Sequence, residues 1–124
     1  MDKQPLAAGG VYVGPPDYHL LIDGEQLALS IDEPVRFARP SIDVLFESAA
    51  ATSGRDTIAV VLTGGGSDGA RGAIAVEARG GVVLVQRPDE AIAPDMPKAT
   101  IAATERAEVL GLGALADRLM QLTK

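Results

Sequence analysis

The sequence has 124 residues, 47% hydrophobic and 23% charged, with 17 acidic against 11 basic side chains and a net charge of −6. Those proportions are globular rather than disordered, and the length fits one domain, 1–124, whose folding buries roughly two-thirds of the unfolded surface. The acidic balance without a Lys/Arg cluster argues against a nucleic-acid partner, and the absence of Cys excludes disulfides, thiolate metal sites and a Cys nucleophile.

The first third reads as short antiparallel strands. Gly9-Gly10 precede a strand at Val11-Tyr12-Val13, and Gly14-Pro15-Pro16-Asp17 is a turn cluster. Tyr18 to Ile22 reads as a strand, Asp23-Gly24 is a hairpin signal, and Gln26 to Ser30 returns. After a loop with Pro34 and Pro40, Ser41 is placed to cap a helix whose apolar face is Ile42, Leu45, Phe46 and Ala49, ended by Gly54. Thr57 to Leu62 is a β-branched run of the kind buried on both faces of a parallel sheet. A glycine loop from Thr63 to Gly66 leads into a helix over 67–78, stopped by Gly80-Gly81, and Val82 to Gln86 is a second buried strand. A helix over 94–103, a short strand at Val109-Leu110 and a final amphipathic helix over 113–122 complete the chain. The predicted class is α/β, a mostly parallel sheet with flanking helices and an antiparallel N-terminal hairpin, built on one strand–helix–strand unit. No apolar run is long enough for membrane insertion, and the N-terminus lacks an apolar signal region, so a cytoplasmic location is the expectation.

The segment Thr63-Gly64-Gly65-Gly66-Ser67-Asp68-Gly69-Ala70 lies between a strand and a helix, where open α/β sheets bind ligands. Gly64, Gly66 and Gly69 match a dinucleotide-binding G-x-G-x-x-G, with Asp89 downstream. Against that reading, Asp68 would set a carboxylate beside the pyrophosphate, Asp89 follows Pro88 past the strand end, and only one βαβ unit is visible. A second reading makes Asp68 a carboxylate that orients a histidine. A third makes it a helix cap.

The loop resembles the T-G-M-G-x-D-G-A segment of the chemotaxis protein-glutamate methylesterases, the CheB-type family. Four further stretches resemble segments of that family. Tyr12 to Leu20 resembles its Y-x-A-P-x-x-x-H-L hairpin, and Arg39-Pro40-Ser41-Ile42-Asp43-Val44-Leu45-Phe46 resembles its R-P-S-V-D-x-L-F helix start. Gly80-Gly81 through Gln86 and Asp95-Met96-Pro97-Lys98-Ala99 resemble its G-G-x-x-x-x-Q and G-M-P-x-A segments.

The resemblance implies a methylesterase-type fold of which this chain is the C-terminal portion. It also implies hydrolysis of glutamate methyl esters on chemoreceptors, with glutamine deamidation, through a Ser-His-Asp triad. Asp68 matches the triad aspartate, and Gly64, Gly65 and Gly66 fall on the active-site loop whose backbone helps stabilise the oxyanion. The family's G-x-S-x-G-G nucleophile loop and Q-H-M histidine segment do not occur in this sequence. His19, the one histidine, falls on the hairpin position, expected to face the site or solvent, and Ser67 beside a carboxylate is not an activated nucleophile. Gly65 stands where the family has Met, which loosens the loop. Chemistry in this chain alone is therefore not expected, and the alternative is an inactive receptor- or partner-binding module on the same fold.

The implied partner is a methylated chemoreceptor, and no cofactor or metal is called for, since one His offers no ligand spacing. Arg36, Arg39 and Arg87 are candidates to receive an acidic receptor segment, with solvated surface roles as the simpler reading. Asp32-Glu33 and Asp89-Glu90 read as exposed loop charges, Met96 as lying near the mouth of the site, and Pro97 as a helix initiator. A fold lacking strands from its other half leaves a parallel edge unpaired, so self-association, or recruitment of a chain carrying the N-terminal half, is expected.

Overall fold

The computed structural model describes residues 3–35 and 39–124. Two strands open the fold, β1 (His19–Asp23) and β2 (Gln26–Ser30), paired antiparallel from His19↔Ser30 to Asp23↔Gln26. The two-residue connection is Gly24-Glu25, one place later than the Asp23-Gly24 signal. Gly24 sits at φ +63, as a tight hairpin turn of primed type requires. Residues 4–6 run beside β2: Leu6 N–H donates to Glu25 O and Leu27 N–H to Gln4 O, both at 2.8 Å.

The expected strand at Val11–Val13 is absent. Glycines and Pro15-Pro16 leave only three residues with no ladder to join, and the Tyr12 hydroxyl instead accepts the Ala7 N–H at 2.9 Å.

Helix α1 (Ile42–Ser53) follows, and the hairpin packs on it through β1, where Leu20 is buried; Ile22 N–H donates to Ser48 Oγ at 2.9 Å. Gly54 ends α1 as predicted, and a short 3-10 turn leads into β3 (Ile58–Val61). Helix α2 (Ala70–Ala78) returns the chain to β4 (Val82–Gln86), then α3 (Asp95–Ala103), β5 (Glu108–Leu110) and α4 (Leu112–Leu122). The sheet order is β3-β4-β5, all parallel, with Ile58 opposite Val82 and Leu84 opposite Glu108. The α/β class with its antiparallel hairpin is thereby established.

One face of the sheet carries the core: Ala59, Val61, Val83 and Val85 meet Phe46 and Ala50 of α1 and Ala73 and Val76 of α2. Side chains alternate along a strand, so Ile58 and Val60 face the opposite side with Leu84. There α4 covers β4 and β5 through buried Leu115 and leaves the two β3 residues half-buried. The prediction that β3 is buried on both faces therefore holds for β4, the central strand, and not for β3. Leu62, assigned to the strand from sequence, is past its end and 44% exposed.

The helices approach closely where glycine permits. A Cβ on Gly72 would lie 2.5 Å from Phe46 Cβ and 3.1 Å from Asp43 Cα, so α2 meets α1 backbone to backbone at that point.

Candidate active site

From the end of β3 the chain runs over 62–69 along the carboxyl edge of the sheet before α2 begins. The helix starts at Ala70, three residues later than the sequence suggests. Gly66 at φ +77 and Gly69 at φ +99 hold left-handed conformations that no α-helix accommodates. The first part of the loop is pinned to the 86–96 segment. Gly64 N–H donates to Ala93 O at 2.8 Å, Met96 N–H donates to Gly64 O at 2.9 Å, and a Cβ on Gly64 would collide with Met96 Sδ. Thr63 N–H donates to Gln86 Oε1 at 2.9 Å, and Thr63 Oγ1 accepts the Ala93 N–H at 2.8 Å.

Asp68 is half-buried at the far end of this loop, and its carboxylate does not cap the helix it precedes. It caps α1. Oδ1 accepts the Ser41 hydroxyl and the Asp43 N–H, each at 2.9 Å, and Oδ2 accepts the Ile42 N–H at 2.7 Å. Three donors at the positive end of the α1 dipole hold this carboxylate in one orientation. Each carboxylate oxygen has two acceptor positions, so Oδ2 retains one for a further donor. Ser41 is the residue before α1, as predicted, but its hydroxyl makes no cap of its own. A carboxylate from 27 residues along the chain takes that place.

Asp43, buried in the first turn of α1, does the converse. Its Oδ1 accepts the Gly69 N–H at 3.0 Å and the Gly72 N–H at 2.7 Å, so it caps α2. In the sequence Asp43 shows only as an acidic residue in a first helical turn and as the aspartate of the R-P-S-V-D-x-L-F resemblance, and neither indicates which helix it caps.

His19 is only 1% exposed and faces neither solvent nor an open site, contrary to expectation. Nδ1 accepts the Ser41 N–H at 3.2 Å, so Nε2 is the protonated nitrogen and donates to Glu33 O at 3.0 Å. His19, Ser41 and Asp68 are therefore linked, but in the wrong order for a triad. The serine hydroxyl donates to the aspartate rather than to an imidazole, both ring nitrogens are engaged, and Ser41 is 2% exposed.

Of the three loop glycines, Gly64 has its N–H engaged, whereas the Gly65 and Gly66 N–H groups meet no acceptor among the described residues. A Cβ on Gly65 would meet nothing within 4 Å, so a larger residue fits there. A small apolar cavity lined by Gly14, Leu20, Pro40, Ser41, Ile42 and Leu45 adjoins the α1 N-terminus. The Arg71 guanidinium is held above its usual range, first by its hydrogen bond to Glu47 at 2.9 Å and more weakly by the Asp43 and Asp68 charges.

Of the arginines singled out from sequence, Arg39 and Arg87 are not gathered around Asp68. Arg39 braces the hairpin, donating to Asp17 Oδ1 at 2.9 Å and to Ile31 O at 3.0 Å. Arg87 pairs with Asp89 at 2.6 Å, and Arg36 lies outside the described residues. Asp32-Glu33 and Asp89-Glu90 are exposed as expected, though Glu90 Oε1 also accepts the Leu112 N–H at the start of α4. Met96 packs on the core and against Gly64, and Pro97 is buried in the first turn of α3. Among the described residues no group of three His, Asp or Glu is arranged to hold a metal, and no helix is long and apolar enough to cross a membrane.

Comparison with known proteins converges on one family. A family model described as CheB methylesterase matches residues 1–119. A relative in Leptospira interrogans is 43% identical over 122 residues, covering 98% of this chain and 63% of the relative. The protein-glutamate methylesterase/protein-glutamine glutaminase 1 of Rhodospirillum rubrum is 40% identical over 103 residues, 80% of this chain and 27% of that protein. The crystal structure of the Thermotoga maritima CheB methylesterase catalytic domain superposes with a TM-score of 0.94 at 30% identity, covering 98% of this chain and 67% of that one. The chain thus spans under two-thirds of the Leptospira relative and about a quarter of the Rhodospirillum one.

Proposed function

The chain belongs to the CheB methylesterase family, and on that premise we propose that it is the C-terminal portion of a catalytic domain and supplies the aspartate of a Ser-His-Asp triad. Its substrate is a glutamate methyl ester on a chemoreceptor, or a glutamine there in the deamidation reaction that the relatives' names describe. The serine nucleophile and histidine base come from outside these 124 residues, on the same polypeptide or another.

The observation that carries this reading is the fixed Asp68 carboxylate, which keeps one Oδ2 acceptor position open at the carboxyl edge of the sheet. A histidine donating Nδ1–H to that position holds the tautomer that leaves Nε2 free to take the serine proton. The serine oxygen then attacks the ester carbonyl carbon, and the tetrahedral anion accepts the free Gly65 N–H. Collapse expels methanol, protonated by the imidazolium, and leaves an acyl-serine. Water, deprotonated by the same imidazole, hydrolyses the acyl-serine to the glutamate carboxylate. With a glutamine, ammonia leaves in place of methanol.

The capping of α1 favours a second reading. Three hydrogen bonds are a sufficient structural reason for an aspartate at this position, in which case the fold serves receptor or partner binding without chemistry. The two readings separate on complementation. The chain is mixed with a segment covering the part of the Thermotoga maritima catalytic domain that it does not span, and methanol release from methylated chemoreceptor is followed. The reunited Thermotoga halves are the positive control. Release by the mixture, absent from either part and abolished by Asp68→Ala, is the expected result. A stable complex that binds receptor and releases no methanol overturns the catalytic reading in favour of the binding one.

A further inference from the structure

Asp68 has little of its own to hold it in place. Its neighbour Gly69 is left-handed, the loop before it contains Gly64, Gly65 and Gly66, and neither Asp68 nor Gly69 belongs to a regular element. A loop of that composition samples many conformations unless outside contacts select one. The 86–96 segment pins the first part of the loop, and the contacts that hold Asp68 itself come from one turn, the start of α1. Asp43 Oδ1 accepts the Gly69 N–H at 3.0 Å, which belongs to the peptide group joining Asp68 to Gly69, and the Gly72 N–H one turn on at 2.7 Å. The Ser41 hydroxyl and the Ile42 and Asp43 N–H groups hold the Asp68 side chain. The Asp43 side chain fixes the main chain of Asp68, and the Ser41 hydroxyl is the one side-chain donor that, with two backbone N–H groups, orients its carboxylate.

We infer that Asp43 and Ser41 are positioning residues for Asp68, holding its open Oδ2 position where a histidine donor can meet it. The inference rests on the proposed triad role of Asp68 for its catalytic consequence, but not for its geometry. Misplacing a reacting group by about 1 Å costs roughly a hundredfold in rate, so two residues that touch no substrate become measurable in kcat. His19 extends the arrangement: accepting the Ser41 N–H and donating to Glu33 O, it ties that turn to the hairpin and to the loop beyond β2.

The test uses the full chain labelled with carbon-13 and nitrogen-15, bound to the unlabelled complementary segment. Three-bond couplings from the Asp68 Cγ to its own backbone nitrogen and carbonyl carbon report its χ1 population. The wild type is expected to show one rotamer. Ser41→Ala should give averaged couplings, and Ser41→Thr, which keeps the hydroxyl, should restore the single rotamer. Asp43→Ala removes the acceptor for Gly69; where that variant does not fold, Asp43→Asn, with a neutral acceptor, should show a smaller change in the same direction. In ester hydrolysis normalised to folded complex, Ser41→Ala should lower kcat roughly tenfold to a hundredfold with KM within about twofold. Unchanged couplings in Ser41→Ala and the Asp43 variant, or an unchanged kcat with only a lower melting temperature, overturn the inference. A wild-type complex without hydrolysis removes the proposed function instead, and the couplings still decide the positioning.

Discussion

Asp43 and Asp68 cap each other's neighbouring helices. The Asp68 carboxylate takes the first N–H groups of α1, and the Asp43 carboxylate takes the first N–H groups of α2, 25 or more residues away in each direction. Each helix N-terminus is thus completed by an anion from the segment that leads into, or lies inside, the other. The N-termini of α1 and α2 are fixed together, and with them the loop that carries the candidate catalytic residue.

Asp68→Ala therefore tests more than chemistry. It removes three hydrogen bonds to a charged acceptor, and hydrogen bonds of that kind contribute about 1.5–3 kcal/mol each. Half-burial lets water replace part of the loss, so a destabilisation of about 2 kcal/mol in urea unfolding is expected. Asp68→Asn keeps one acceptor oxygen and should cost about half as much. A variant as stable as the wild type would show that the α1 N-terminus does not depend on this carboxylate.

His19 has a tautomer dictated by its surroundings, since Nδ1 faces an N–H donor and Nε2 a carbonyl oxygen. Nitrogen-15 ring shifts should report Nε2 protonated and Nδ1 bare. His19→Leu should cost about 2–3 kcal/mol, because it leaves the buried Ser41 N–H and the Glu33 carbonyl without partners. The opposite tautomer would contradict the arrangement around Ser41.

Gly72 and Gly113 make a matched pair. Both are helical, yet a Cβ on Gly72 would press on Phe46 Cβ and the Asp43 backbone, while one on Gly113 meets nothing within 4 Å. Gly113→Ala should stabilise by about 0.5 kcal/mol through the unfolded chain. Gly72→Ala should destabilise by about 2 kcal/mol as α1 and α2 are pushed apart, despite alanine's better helix propensity. Equal shifts in denaturant midpoint for the two would remove the case for close packing at Gly72.

Local pattern carried most of the framework and little of the site. β2, β4 and the end of α1 lie where a hairpin signal, a β-branched run and a glycine predict, because those signals act within a few residues. Val11–Val13 has strand composition but no partner, and pairing is a tertiary condition. α2 starts three residues later than its local pattern predicts because Gly69 is left-handed and held by contacts with α1, which its neighbours in sequence do not encode. Ser41 and Asp68 both have the residue type of a cap. Which helix each serves depends on a contact across 27 residues that no local spacing encodes. The partners of Asp43, Gly69 and Gly72, are equally distant in sequence.

Gly65 stands where the resembling family has a methionine, and the structure leaves room for one. Its φ is not in the left-handed range, so Gly65→Met is expected to change stability by under about 0.5 kcal/mol. A side chain narrows the conformations open to the loop, and methanol release by the complemented domain should rise severalfold. A fall in kcat would mean that the glycine suits this loop and that the departure from the family is functional.

The outer edge of β3 has no strand beside it among the described residues, and Ile58 and Val60 on its α4 side are only half-buried. Leu62 and Ile74 add apolar surface, 44% and 47% exposed. An unpaired edge flanked by such surface templates association. The isolated chain is expected to sediment as dimers or larger species, and to convert to a one-to-one complex when the complementary Thermotoga segment is added. Val60→Lys sets a charge on the half-covered face and should shift the isolated chain toward monomer while weakening that complex. A monodisperse, high-melting monomer at all concentrations would show that the β3 edge is closed without a partner.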